Sequence, residues 1–122
     1  MAAEQTHDVA ACKRVDEGIT RVFQLLGKRW SGQILAVLMV QPAHFADLRR
    51  AIPGISERML SDRLAELGAA GLVLREVDEG PPLRVSYQLT PSGAALEPPL
   101  RGLGEWAKHH LPQTPACVET AG

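Results

Sequence analysis

Three observations predict a mostly helical α+β fold built as one domain. Apolar residues recur at helical spacing in the first half of the chain and again near its end, whereas the period changes to two between these segments. A chain of 122 residues can bury one hydrophobic core but is too short for two full domains. We therefore expect a folded domain over residues 12–111, with flexible segments at 1–11 and 112–122.

Three helices are predicted in the first part of the chain. The first carries apolar residues at positions i, i+3, i+4 and i+7 from Ile19 to Leu26, and it ends near Gly27. The second carries a denser apolar stripe from Trp30 to Leu38, should therefore be largely buried, and is stopped by Gln41-Pro42-Ala43. A third, short helix comes next. Its apolar residues are Phe45, Leu48 and Ile52.

A fourth helix is predicted after a clear break. Pro53-Gly54 interrupts the chain, because proline disfavours helical geometry at the residue before it and glycine permits a sharp turn. Ser56 is a suitable N-cap, and Gly71 suits the left-handed position that often ends a helix. The residues expected to point inward are Leu60, Leu64 and Leu67.

A β-hairpin and further helices complete the prediction. Segments 72–77 and 84–89 read as strands, and Gly80-Pro81-Pro82 lies between them as a stiff tip. Thr90-Pro91 is a strong helix start. The last helical segment must be kinked or divided by Pro98-Pro99. Its apolar residues are Leu100, Leu103, Trp106, Ala107 and Leu111.

Two helices joined by a tight turn and followed by a hairpin form a winged helix-turn-helix, which is suited to duplex DNA. A helix about 10 Å wide fits the major groove, and a hairpin beside it reaches the neighbouring backbone. On the outer side of the fourth helix, Arg58, Asp62 and Ala65 are expected to face base edges, with Ser61 on the flank. Arg58 is the preferred base-reading residue, because arginine presents two donors that match guanine O6 and N7.

Other basic and polar side chains near that helix are candidates for contacts with the DNA backbone. Residues 28–75 hold seven basic and four acidic side chains, a net charge of +3, whereas the rest of the chain carries −4. Each arginine could instead be a solvated charge paired on its own helix. The full set of candidate DNA-binding residues is Ser56, Arg58, Ser61, Asp62, Arg63, Arg49, Arg50, Lys28, Arg29 and Arg84.

Several other classes of protein are not favoured. No apolar run approaches the roughly 20 residues of a membrane span, and the polar start lacks the pattern of a signal peptide, so we expect a cytoplasmic protein without membrane contact. Cys12 and Cys117 are too few and too far apart for a disulfide scaffold or a zinc site. We find no phosphate-binding loop, metal triad or Ser/His/acid set, so we expect no enzyme, cofactor or metal site.

Four segments carry a family resemblance: 25–30, 45–56, 59–64 and 81–90. In residues, order and spacing they resemble the HxlR-type regulators, which are winged-helix relatives of the MarR regulators. The resemblance implies a homodimeric repressor, held by its first and last helices, that binds a pseudo-palindromic operator in double-stranded DNA with half-sites about 34 Å apart. Independently, both helices have apolar faces that a small core cannot cover. The chain departs from the family pattern outside the fourth helix, at Gln41, Ser86 and Pro98-Pro99.

The resemblance also implies regulation through Cys12. Several HxlR-type proteins resemble thiol switches in which an N-terminal cysteine reacts with quinones, aldehydes or oxidants, and Cys12 stands at the matching place. Lys13 stands where the family often has proline, but Lys13 and Arg14 would favour the reactive thiolate. The alternative is a cysteine that only packs at the dimer interface. Both interpretations stay open at this point.

Two further hypotheses concern other partners. Trp30 and Trp106 could line a pocket for a small-molecule inducer, although aromatic residues at helical spacing are more often part of the core. A winged helix could also serve only as a protein-interaction module. Salt-dependent binding to an operator fragment would distinguish DNA binding from that alternative, because neutralised phosphates release counterions.

Overall fold

The computed structural model of the chain describes residues 17–113, so Cys12 and Cys117 lie outside the described residues, as do the predicted flexible segments apart from residues 112 and 113. Within that range the predicted fold class is confirmed, because a helix-turn-helix is followed by a hairpin in a small antiparallel sheet. The elements are α1 (residues 17–26), α2 (Ser31–Val40), β1 (Ala43–His44), α3 (Phe45–Ala51), α4 (Glu57–Ala69), β2 (Val73–Asp78), β3 (Arg84–Leu89), α5 (Pro91–Ala94) and α6 (Glu97–His110).

The core lies where α2, α3 and α4 pack together beside the sheet. Leu60, Leu64 and Leu67 of α4 are all buried, which confirms the inward stripe that their spacing predicts. With Ile34 and Leu35 of α2 they belong to one cluster of buried apolar side chains. Burial of one such side chain contributes about 1.5 to 3 kcal/mol, so this cluster holds α4 against the rest of the molecule.

The turn between α3 and α4 is built as predicted. The Ser56 hydroxyl accepts a hydrogen bond from the Met59 backbone N–H at 3.0 Å, which confirms the N-cap. Gly54 has φ +91°, a conformation that other residues rarely adopt. A Cβ at this position would lie 3.6 Å from Cη2 of Trp30, so the Trp30 ring packs beside the turn.

The sheet contains one strand that the sequence analysis missed. β1 has only two residues, and it pairs with β3 through Ala43↔Tyr87 and His44↔Ser86, so that β3 lies in the centre. A strand this short has no period to detect, and it owes its existence to its partner strand. β2 pairs with β3 from Val73↔Leu89 to Asp78↔Arg84, one residue later than the predicted first strand.

The chain leaves the sheet through a capped turn. The Thr90 hydroxyl donates to the Gly71 carbonyl oxygen at 2.6 Å and accepts from the Gly93 N–H at 3.1 Å, which confirms the predicted helix start. The kink or division predicted at Pro98-Pro99 does not occur there, because α6 is one continuous helix from Glu97 to His110. The break falls instead between α5 and α6, and Pro98-Pro99 occupies the first turn of α6, where no helical N–H is needed.

The two outer helices, α1 and α6, keep apolar side chains at the surface. Ile19 and Phe23 of α1, and Leu103 and Trp106 of α6, are each about half exposed, and α6 has no buried residue at all. Only the inner edges of these helices reach the core, as with Leu100. Among residues 17–113, none of the helices is long and apolar enough to cross a membrane.

Candidate nucleic-acid interface

The outer face of α4 is exposed, as predicted. Arg58, Ser61, Asp62 and Ala65 are all accessible to solvent, while the leucine stripe on the opposite side is buried. The separation follows from the helical period, since residues three, four and seven apart share one side. α4 therefore presents an exposed strip that is polar at Arg58, Ser61 and Asp62 and ends at the small side chain of Ala65.

Arg58 is the exposed arginine at the start of the outer face of α4. It is exposed in the first turn of α4 and takes part in no ion pair with any side chain of residues 17–113. The same holds for Asp62, one turn further along. An unpaired guanidinium keeps its donors available for two parallel hydrogen bonds to a base edge.

Arg63 has a different environment from Arg58. Its side chain is only 15% exposed, and its Nε donates to the Arg29 carbonyl oxygen at 2.9 Å. Its Nη1 lies 3.3 Å from the Glu66 carboxylate, which also pairs with Lys28 Nζ at 3.3 Å. These contacts tie α4 to the segment between α1 and α2. The guanidinium of Arg63 is thus engaged within the protein, and these contacts would compete with the phosphate contact predicted for it.

The predicted basic residues near α4 sit in exposed pairs. Arg49 Nη1 lies 2.8 Å from a Glu57 carboxylate oxygen, and Arg50 pairs with Asp47 on its own helix. Arg29 stacks its guanidinium over the Trp30 ring, 4.4 Å from the ring centroid. Exposed pairs of this kind are worth about 0 to 1 kcal/mol, so a phosphate group can replace the carboxylate at small cost.

The hairpin carries mixed charge. Arg84 stands directly opposite Asp78 at the tip end of the strand pair. Glu76 accepts a hydrogen bond from Gln88 Nε2 at 3.4 Å on the same face, and Glu79 follows in the loop. The predicted phosphate contact of Arg84 therefore lies in an acidic neighbourhood.

A groove between α4 and the hairpin contains a residue to which the sequence analysis gave no role. Arg75 of β2 lines it together with Ser61 and Ala65 of α4. Two signals could have pointed to Arg75: it belongs to the basic stretch 28–75, and strand alternation places it on the same side of β2 as Val73.

The structure places the two predicted pocket tryptophans in different surroundings. Trp30 is half-buried against the turn, whereas Trp106 is exposed on α6 and stacks on His110 with ring centroids 5.5 Å apart. No group of three or more potential metal-ligating side chains occurs in the part of the chain that the structure describes.

Comparison with known proteins agrees with this geometry. The model of the HxlR-like helix-turn-helix family matches residues 25–115. The chain is 44% identical over 98 residues to the HTH-type transcriptional regulator YodB of Bacillus subtilis, which covers 80% of this chain and 88% of YodB. It is 36% identical over 96 residues to the HTH-type transcriptional regulator YvaP of the same organism, covering 79% of this chain and 85% of YvaP.

Solved structures give the same answer at the level of the fold. The reduced form of YodB superposes with a TM-score of 0.71 at 39% identity, over 77% of this chain and 92% of that one. The redox regulator HypR in its reduced form gives a TM-score of 0.72 at 34% identity, over 75% and 91%. YodB has also been solved after diamide treatment and with a bound quinone.

Proposed function

The chain belongs to the family of HxlR-like helix-turn-helix proteins and is a transcriptional regulator of that type, and on that premise we propose that it is a repressor that binds double-stranded DNA as a homodimer. The operator is a pseudo-palindrome, and each subunit inserts α4 into the major groove of one half-site. The observation that carries the proposal is the exposed polar face of α4, with Arg58 unpaired among residues 17–113.

Base reading is assigned to the outer face of α4. The major groove is about 12 Å wide and accepts a helix, and arginine recognises guanine by two parallel hydrogen bonds. Arg58 performs this role, while Ser61 and Asp62 contact neighbouring base edges and the exposed Ser56 contacts the backbone at the start of the helix.

Phosphate contacts position the helix without reading sequence. Arg49 and Arg50 exchange their exposed carboxylate partners for phosphates, and Lys28, Arg29 and Arg84 add positive charge at the flanks. Arg63 contributes mainly by holding α4 against the Arg29 backbone.

Dimerisation is assigned to the exposed apolar faces of α1 and α6. Their half-exposed side chains Ile19, Phe23, Leu103 and Trp106 form apolar surface that a second copy of the chain can cover. A twofold axis through these helices would present two copies of α4 to half-sites about 34 Å apart, which is one turn of the duplex.

The test of DNA recognition is a footprint and a binding titration on the region upstream of the protein's own gene. Arg58→Ala should weaken binding to the footprinted site by about 1 to 3 kcal/mol and flatten the preference over scrambled duplex, because a bidentate base contact is lost. Arg101→Ala is the matched control, since this exposed arginine lies outside the proposed DNA-binding residues, and sedimentation must show that the variant still dimerises through α6. A variant that keeps full sequence preference without the Arg58 guanidinium would remove the base-reading assignment. Salt-independent binding of the wild type would favour a protein-interaction module instead.

A response to electrophiles through Cys12 is a second proposed property, supported by the similarity to YodB and by its quinone-bound form. The Cys12 thiolate adds to a ring carbon of the quinone, the electron pair moves to a quinone oxygen, and protonation with rearomatisation gives a hydroquinone thioether. A reversible small-molecule inducer bound between subunits is the alternative.

Cys12→Ser should therefore abolish the loss of DNA binding caused by benzoquinone, because a hydroxyl at this position is a far weaker nucleophile than a thiolate. Gel-shift titration with and without benzoquinone, together with the intact mass of the protein, measures the effect. Cys117→Ser is the control and should keep the response. A Cys12→Ser protein that still releases DNA would assign sensing to another residue or to a reversible ligand.

A further inference from the structure

We propose that Arg75 provides the main contact between the hairpin and DNA, and that it binds a backbone phosphate beside α4. The contact lies at the base of the hairpin, whereas a wing is expected to reach the duplex through its tip. This inference rests on the proposed DNA binding and adds a residue that the assignments above do not include.

The strand register sets the direction of the Arg75 side chain. Arg75 lies opposite Tyr87 in the β2–β3 pair, two residues from Val73 on the same strand. Side chains two apart on a strand, and those directly opposite on the partner strand, point to one face of the sheet. Since Val73 and Tyr87 are buried, Arg75 lies on the face that packs against the core and α4.

The surface of α4 opposite Arg75 leaves room for a long side chain. Ser61, Ala65 and Gly68 line the groove that Arg75 shares, and each has a small side chain or none. Their spacing of four and then three residues puts them on one side of α4, next to the strip that carries Arg58 and Asp62. The aliphatic stem of Arg75 can follow this groove while its guanidinium stays at the rim, beside the base-reading face.

The distribution of charge along the hairpin favours a phosphate contact at its base rather than at its tip. Asp78 and Glu79 lie at the tip end, and Asp78 faces Arg84 across the strands, so carboxylates there would repel phosphates. Arg75 is exposed, and neither Glu76 nor Asp78 shares its face, because both are an odd number of residues away. No acidic side chain of residues 17–113 forms an ion pair with Arg75. Its guanidinium therefore has no carboxylate partner among these residues.

The experiment compares Arg75→Ala, Arg75→Lys and Arg84→Ala on the footprinted site and on scrambled duplex across a salt series. Arg75→Ala should weaken binding to both duplexes by a similar factor of about ten. It should also reduce the slope of log affinity against log salt by about 2, because each phosphate contributes about 0.9 and the dimer has two copies of the residue. Arg75→Lys should retain most of the affinity, since a phosphate accepts either cation. Arg84→Ala should change the slope less.

Each outcome separates this inference from the proposed function. If the wild type binds duplex DNA and Arg75→Ala keeps its affinity and salt slope, the Arg75 contact is refuted while DNA binding stands. If Arg75→Ala or Arg75→Lys loses sequence preference alone, Arg75 reads bases and the phosphate assignment is wrong. If the wild type binds no duplex, the proposed function fails first. A thermal melt of each variant confirms that the exposed substitution leaves the fold intact.

Discussion

The central helices and the outer helices of this protein use the same apolar spacing but have opposite burial. Leu60 of α4 has no exposed surface, whereas Leu103 of α6 is 52% exposed, although each belongs to a helical stripe. The leucine face of α4 packs into the core beside α2, α3 and the sheet, whereas α6 reaches the core only along one edge. An apolar stripe at helical spacing therefore shows that one face of a helix should be buried. It does not show whether that face is covered by the same chain or by another molecule.

The largest effect on stability is expected from truncating a buried leucine of α4. Leu60→Ala should lower the free energy of unfolding by about 2 to 5 kcal/mol, because it removes buried methyl groups and leaves a cavity in a packed core. Urea unfolding at fixed protein concentration measures the change. A loss below about 1 kcal/mol would mean that α4 is held by something other than this core.

A charge introduced on the apolar face of α6 should have little effect on the stability of the subunit and a larger effect on dimerisation. Leu103→Glu should change the unfolding free energy of the isolated subunit by about 0.5 kcal/mol or less, because the side chain is exposed there. It should weaken dimerisation by more than about tenfold, because a carboxylate would be buried at the proposed interface. Sedimentation over a range of protein concentrations measures this.

Leu83→Glu is the matched control for the assembly experiment. Leu83 is an exposed leucine in the loop between β2 and β3, so the same charge enters a surface outside the proposed interface. Its sedimentation should match that of the wild type. If Leu103→Glu also behaves as the wild type, the dimer interface lies elsewhere and the half-site geometry must be revised.

A second contrast, within α4 itself, is between Arg58 and Arg63. Arg58 and Arg63 both lie on the polar side of one helix, and both were predicted to contact DNA. Arg63 faces a backbone carbonyl 34 residues earlier in the chain, while Arg58 faces solvent. The helical period specifies the angle of a side chain about its helix, but it contains no information about a neighbouring segment.

Most of the helices and the hairpin could be predicted because their signals are local. The N-caps at Ser56 and Thr90 act within three residues, and the helix stops at Gly27 and Gln41-Pro42 need only the chain beside them. The strand β1 could not be predicted, because two residues adopt extended pairing only when β3 is already beside them. The capping contact between the His44 backbone N–H and Asp47 Oδ2, 3.4 Å apart at the start of α3, was also missed, because histidine is not one of the usual N-cap residues.

The sequence by itself determined the periods, caps and breaks of this protein, and with them the order of its helices and strands and the polar face of α4. These features depend on backbone preferences and on contacts between side chains a few residues apart, which are the same whatever the rest of the fold. Only the tertiary structure decided that Arg63 ties down α4, that Arg75 lies beside its outer face, and how far the predicted apolar faces of α1 and α6 stay exposed. Each of these depends on residues far apart in sequence that meet only after the core has formed.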